Sequence, residues 1–179
     1  MEEVSIDSIY KEARLKLETS ARGYSVRNAS TDDLDKVIEI NMVSLPEHYP
    51  RVFFEEILGE WGKAFYVVES LSREIVGYIM TRIELKPAFF KYFLSRSGHV
   101  VSIAVLEEHR RRGLGYVLMA FSMKSMYEEY NCSETYLEVR VSNTPAIKLY
   151  EKLGYRKVKI ERGYYLDGED AFVMARRLP

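Results

Sequence analysis

The sequence predicts one mixed α/β domain built on a central sheet, and three observations lead there. Short apolar, β-branched runs alternate with segments whose apolar residues recur at helical spacing. One such run, Val100–Val105, passes through a basic, glycine-containing loop directly into an amphipathic helix pattern. At 179 residues, with 47% apolar and 13% aromatic content, the chain has enough material for a single sizeable core and is not disordered.

Taken in order, residues 1–22 are charged and open helix-like, with Ile6, Ile9, Ala13 and Leu17 at near-helical spacing. They read as an N-terminal extension, flexible or helical, outside a domain spanning 23–179. Tyr24–Ala29 alternates like an edge strand. Ser30 or Thr31, followed by Asp32 and Asp33, reads as the N-cap of a helix carrying Leu34, Val37, Ile38, Asn41 and Met42 on one face. Pro46 and Pro50 bracket a loop, and a short helix follows from Phe53 to Gly59. Residues 64–68 and 75–80 read as a hairpin turning near Ser70–Arg73. Residues 85–98, with Pro87 and the aromatics Phe89, Phe90, Tyr92 and Phe93, read as a longer loop. Val100–Val105 is the central strand, and Leu114, Val117, Leu118 and Phe121 form a helical stripe running to about Tyr130. Thr135–Val141 is the next strand. Pro145 starts a helix that Gly154 ends, and closing strands lie near 155–161 and 171–175.

The strand–loop–helix is the chemically pointed feature. Helix starts carry backbone N–H groups without partners and the positive end of the dipole, which together hold phosphate. Gly113 and Gly115 let backbone approach an anion closely. Arg110, Arg111 and Arg112 add fixed positive charge. No Gly-Lys-Ser/Thr closes the loop as in a Walker P-loop, and Arg111 occupies the position of a Rossmann fingerprint's first glycine.

The R-x-x-G-x-G spacing from Arg110 to Gly115 resembles the acetyl-CoA loop of the GCN5-related N-acetyltransferases, the GNAT family. A second motif, Asn143 to Tyr155, is similar to that family's N-x-x-A-x-x-L-Y-x-x-x-G-F/Y segment. The order β-α-α-β-β-β-α-β-α-β-β over 24–178 matches as well. The resemblance implies a twisted, mostly antiparallel sheet flanked by about four helices, its parallel fourth and fifth strands splayed apart. It implies acetyl-CoA as co-substrate, held by Ile103, Ala104, Val105, Arg110, Arg111, Arg112, Gly113, Leu114, Gly115 and Tyr116, with Asn143 against the pantetheine arm. Tyr150 would lie near the thioester sulfur as donor or acid, and a backbone N–H near Val105 would polarise the acetyl carbonyl.

Three further segments narrow the resemblance: Leu45–Pro50, Tyr136–Asn143 and Gly163–Ala171. Together they look like the archaeal protein N-terminal (Nα) acetyltransferases of the NatA catalytic-subunit type. That likeness implies that Glu47, Tyr49, Tyr164 and Tyr165 clamp the first residues of a peptide, with Glu47 tuning the choice of N-terminus. It makes Glu138 the general base, acting through water, with His99 assisting across the splay. Alternation on the strand puts Glu138 on one face with Tyr136 and Arg140, opposite Leu137 and Val139. An α-amine titrates near 7.7–8.0 against about 10.4 for lysine, so a modest base suffices for an N-terminus.

The expected function is therefore acetyl transfer to free α-amino groups of protein N-termini beginning Ser, Ala, Thr or Met. Acetylation of lysine or small amines on the same fold, and a non-catalytic acyl-CoA-binding module, are the alternatives. Expected partners are protein or peptide N-termini, including nascent chains at the ribosome, with the protein a monomer or weak homodimer. A net charge of −1 gives no drive toward nucleic acid or membrane, and no apolar run reaches the ~20 residues of a membrane helix. No metal site is expected, since His99 and Glu138 alone are too few ligands. The single Cys132, the acidic Met1–Glu3 start and the lack of an apolar leader suit a reducing cytoplasm. No glutamine, only four asparagines and 30% charged residues resemble a thermophile's composition.

Overall fold

Seven strands form one sheet in the order β1-β2-β3-β4-β5-β7-β6, with helices on both faces. The computed structural model describes residues 4–178; the Met1–Glu3 start and Pro179 lie outside the described residues. In chain order the elements are α1 (Ile6–Glu18), β1 (Ser25–Asn28), α2 (Leu34–Ser44), α3 (Arg51–Trp61), β2 (Tyr66–Glu69), β3 (Ile75–Pro87), β4 (Leu94–Val105), α4 (Leu114–Glu128), β5 (Glu134–Arg140), α5 (Thr144–Lys152), β6 (Arg156–Glu161) and β7 (Ala171–Arg177). Every pairing is antiparallel except β4 with β5.

That parallel pair covers only Ser97–His99 against Glu134–Tyr136. Beyond it β4 continues to Val105 and β5 to Arg140 on diverging courses, leaving a cleft open through the sheet. The strands are fastened where they do pair. The Thr135 hydroxyl donates to the Gly98 carbonyl at 2.8 Å, and the buried Glu134 carboxylate accepts from the Ser97 hydroxyl at 3.0 Å. Gly98 is required there, because a Cβ would sit 2.3 Å from the Met126 sulfur.

Two sequence expectations need correction. The 85–98 loop is instead the long end of a β3–β4 hairpin whose pairing reaches Pro87↔Leu94, so only 88–93 connect the strands. The adjoining alternation, Arg82-Ile83-Glu84 paired with His99-Gly98-Ser97, puts Arg82, Glu84, Ser97 and His99 on one face of that hairpin. Of the 1–22 segment, the described residues do not stand outside the core. α1 runs antiparallel along α4 and buries Ile6, Ile9 and Ala13 in the same cluster as Met119, Ala120 and Met123. Asp7 meets Lys124 at 3.4 Å, Tyr10 packs on Phe121, and the Tyr116 hydroxyl donates to Glu12 at 2.8 Å. α1 is the fifth helix, and its partner α4 is buried nearly all round as a consequence.

Buried Arg176 on β7 ties three segments. Its guanidinium donates to the carbonyls of Leu153 at 2.6 Å, Val4 at 2.8 Å and Arg177 at 2.7 Å. Thus the end of α5 and the start of the chain share one donor. Replacing it by methionine, similar in length but without donors, strands the buried Leu153 acceptor at about 1–3 kcal/mol and removes two part-buried hydrogen bonds worth about 1 kcal/mol each. Arg176→Met should therefore cost roughly 3–5 kcal/mol in urea unfolding, with little change in the initial rate of the folded fraction.

Candidate active site

The cleft between β4 and β5 collects side chains from three strands. His99 and Tyr136 stack across the last parallel pair, ring centroids 4.3 Å apart and planes 9° from parallel. From β5, two residues along, the Glu138 carboxylate meets His99 Nε2 at 2.6 Å. From β3, Glu84 lies 3.6 Å from His99 Nδ1, an ion pair too long to be a hydrogen bond. Glu84 also accepts the Tyr136 hydroxyl and, at 2.9 Å, Arg82 Nε. A half-buried imidazole thus sits between two carboxylates.

This surrounding sets the direction in which its pKa moves. Burial by itself lowers the His99 pKa, but the bond to Glu138 and the nearby Glu84 outweigh it and hold the pKa above the ordinary histidine value. His99 in return drives the Glu84 carboxyl down to about 2, aided by Tyr136 and Arg82 and opposed by burial. Two of these residues, Glu84 and Tyr136, were not singled out as site residues in the sequence. Their signal was the shared face, since Glu84 pairs with Ser97, two residues before His99, and Tyr136 is two residues from Glu138.

At the open end, Arg140 gathers two loops. Its guanidinium bonds Glu47 at 2.6 Å on the α2–α3 loop, and Asp167 at 2.8 Å and Glu169 at 2.9 Å on the β6–β7 loop. It also lies 4.0 Å from the Tyr165 ring centre. Sequence reading placed Arg140 on the right strand face but gave it no role. One oxygen of the Glu47 carboxylate is thus engaged by Arg140, while the side chain stays partly exposed. Tyr49 is pushed up by burial and by the charges of Glu47 and Glu138. Tyr164 is pushed up to about 12 by burial, then by Glu138 and Tyr49, and Tyr165 rises by burial and Glu47. The three tyrosines thus surround the same two carboxylates.

The basic loop lies at the other mouth. Arg111 and Gly113 take left-handed backbone, φ 62° and 87°, and Gly113 caps α4. The first helical bond runs from Val117 N–H to Gly113 at 3.0 Å, so Leu114, Gly115 and Tyr116 have no intrahelical acceptor for their N–H groups. Arg110, Arg111 and Arg112 are exposed. Tyr116 contributes at most its backbone, because its ring is buried beside α1 with the hydroxyl on Glu12. Asn143 caps α5 through Ala146 N–H at 3.3 Å, the ordinary helix-start role. Tyr150 is buried, which alone pushes its hydroxyl up to about 12.

The backbone of β4 is also oriented. Leu106 N–H donates to Val76 on β3 at 2.9 Å. In an antiparallel ladder the polar groups alternate sides, so those of Val105 and Ile103 face the cleft. Arg110 Nε accordingly reaches the Val105 carbonyl at 2.8 Å, while Ala104 points its side chain into the α2–α3 core. Glycine at 77 keeps β3 tight here, since a Cβ would lie 3.0 Å from the Ala104 carbonyl.

A basic helix start with three amides lacking helical partners, a strand whose amides face an open slot, and a carboxylate–imidazole pair at its base are the architecture of an acyl-CoA-dependent transferase. The comparisons make the class particular. The acetyltransferase (GNAT) family pattern matches residues 34–155. The N-alpha-acetyltransferase of Saccharolobus solfataricus is 56% identical over 159 residues, 88% of this chain and 95% of that protein. The Arabidopsis thaliana N-terminal acetyltransferase A catalytic subunit NAA10 is 36% identical, over 86% of this chain and 77% of its own. A solved NatB acetyltransferase complex bound to CoA and MES has a chain 29% identical, with TM-score 0.73, covering 87% of this chain and 99% of that one. The protein belongs to the GNAT acetyltransferase family and is an enzyme whose acyl donor is acetyl-CoA.

The His99 cluster gives a pH signature. A raised folded pKa contributes stability that is complete below the unfolded value of about 6.5 and is lost as pH rises through the folded value. Glu84 acts oppositely, contributing above its unfolded value of 4.5 and losing that contribution as pH falls toward 2. Relative to His99→Gln, the native protein should lose stability advantage in urea melts stepped from about pH 6 to pH 9. A difference constant across that range would mean that His99 does not gain a proton on folding.

Proposed function

We propose that this enzyme acetylates the free α-amino group of protein N-termini by direct attack in a ternary complex, on chains beginning with Ser, Ala, Thr or Met. The observation that carries the reading is the Arg140 bridge between the two loops at the cleft mouth. Bridged loops favour end-on entry of a chain terminus into an aromatic, acid-lined slot, and they disfavour a lysine approaching from mid-chain. The relatives named N-alpha-acetyltransferase support the same acceptor.

The residues act in sequence. The acidic slot attracts the terminal ammonium, and a neutral amine forms readily near neutral pH because the α-amine pKa is low. Glu138, with Oε2 engaged by His99, presents Oε1 to the acceptor nitrogen directly or through water. As the new N–C bond forms, that nitrogen turns cationic and strongly acidic, so a carboxylate suffices to take its proton. His99 keeps Glu138 oriented through its Nε2 bond, and its raised pKa favours the protonated form that balances the carboxylate. The Val105 amide, facing the cleft, bonds the oxygen of the carbonyl under attack. The C–S bond breaks, and the Tyr150 hydroxyl donates a hydrogen bond to the departing thiolate. With its pKa raised to about 12, against about 8.5 for a thiol, Tyr150 keeps its proton and serves as donor rather than acid. The Leu114–Tyr116 amides and the three arginines receive the phosphates of the acetyl donor.

Peptides with free Ser, Ala, Thr, Met-Leu and Met-Glu N-termini, each beside an α-blocked copy carrying a lysine, decide the acceptor. Transfer to free termini alone supports the reading; transfer to blocked peptides moves the enzyme to lysine. Glu138→Gln should lower kcat by about 10²–10⁴ while CoA binding, followed by calorimetry, is retained. Arg140→Ala frees both loops and should raise the peptide KM about tenfold or more, leaving the acetyl-CoA KM within twofold. Equal damage to both KM values would count against a role confined to the acceptor mouth.

A further inference from the structure

Residues 12–24 lie outside the segment matched to the family pattern, which begins at 34, yet they grip the acetyl-CoA loop from both sides. After α1 the chain makes a tight turn, with Ala21 N–H on Lys16 at 2.8 Å and Tyr24 N–H on Ala21 at 3.1 Å. The turn points two side chains at the loop. The Ser20 hydroxyl donates to the Arg112 carbonyl at 3.0 Å, and the Tyr24 hydroxyl bonds His109 Nδ1 at 2.8 Å. The Arg112 guanidinium lies 5.9 Å from the Tyr24 ring centre. Between those anchors, Gly113 faces Lys16 and Ser20 so closely that a Cβ would meet Lys16 Cδ at 3.1 Å. One turn further into α4, Glu12 holds the Tyr116 hydroxyl and is itself paired with Lys16 at 3.2 Å and Lys152 at 3.3 Å.

We propose that this segment is a strap that sets the shape of the phosphate loop, and that Ser20 and Tyr24 are positioning residues for acetyl-CoA. The loop needs such support. Arg111 and Gly113 both hold left-handed backbone, a conformation that a non-glycine residue adopts only when its surroundings enforce it. Ser20 fixes the carbonyl between these two residues, and Tyr24 fixes the residue before Arg110. With both ends pinned, the Leu114–Tyr116 amides and the Arg110–Arg112 guanidiniums are arranged before the donor arrives, so less ordering opposes binding. The strap touches neither the carboxylate–imidazole pair nor the Arg140 mouth. Its effect is therefore confined to the donor. The inference rests on the acetyl-CoA-dependent activity of the family and not on the identity of the acceptor.

The test is the pair Ser20→Ala and Tyr24→Phe, singly and combined, in the full chain. Each removes one hydroxyl oxygen and no packing atom. Calorimetric titration with CoA, which is independent of any acceptor, should show Kd raised about threefold in each single variant and about tenfold in the double. The acetyl-CoA KM should rise in parallel, with peptide KM and saturated kcat within twofold of the native enzyme and melting temperature within a few degrees. Unchanged CoA affinity in the double variant would overturn the proposal and leave α1 a packing element. A drop in affinity that disappears when the measurement is repeated well below each variant's melting transition would overturn it too, as a folding effect.

Discussion

Everything distinctive about this molecule depends on β4 and β5 pairing briefly and then parting. A sheet gains most by completing its ladder, so an unfinished parallel pair leaves backbone polar groups that need another partner. Here the pairing is secured at one end by buried Glu134, Thr135 and the glycine at 98. Past His99 and Tyr136 the strands separate, and their free edges become the binding surface. The stacked pair at the fork forms the floor, and the loops at the far end form the two mouths. Because β5 finds its other partner in β7 over its full length, the opening costs only one of its two ladders.

The fork was legible in sequence only through resemblance. The strand–loop–helix from Val100 to Leu114 and the Asn143-to-Tyr155 helix could be read from periodicity and capping, because local rules govern them. The pairing of β4 with β5 is non-local, and no spacing in the chain announces where it stops. Residues 85–98 misled for a related reason. Lysine, serine and arginine recur there as they would at a surface, yet Lys86, Ser95 and Ser97 lie on the sheet face that carries His99 and Tyr136. α1 carried a readable sign that went unused. The helix 114–128 has few polar residues outside Lys124 and Glu128, too few for one solvent-facing side. A helix apolar around most of its girth must be covered twice, once by the sheet and once by another element. The only uncommitted helical pattern was Ile6, Ile9 and Ala13.

Site residues divide along the same line. Glu138 and His99 came from the family motif, and the structure brings their side chains together. Tyr116 and Glu47 were carried over on motif position, and their side chains are bound to Glu12 and Arg140. A motif aligns backbone positions; whether the side chain or the amide is what a ligand meets depends on neighbours elsewhere in the chain. Glu12 lies outside the motifs, and Arg140 lies inside one of them but meets Glu47 only through the fold, so neither contact could be read from motif position.

Arg140 illustrates how charge can organise a mouth without adding much stability. Each of its partners is at least partly exposed, and pairs of that kind contribute roughly 0–1 kcal/mol apiece. Their value lies in geometry. One planar guanidinium meeting carboxylates from two loops removes independent motions that would otherwise be lost only when an acceptor binds. The same cation, stacked on Tyr165, also offsets the negative charge that Glu47, Asp167 and Glu169 bring to the entrance. On the proposed reading the carboxylate that faces the acceptor is Glu138, bonded to an imidazole whose pKa burial lowers and the two neighbouring carboxylates raise. On that reading attraction for an ammonium is concentrated at the floor of the cleft, where the proton would leave, and kept low at the rim, where it would only slow the release of an uncharged product.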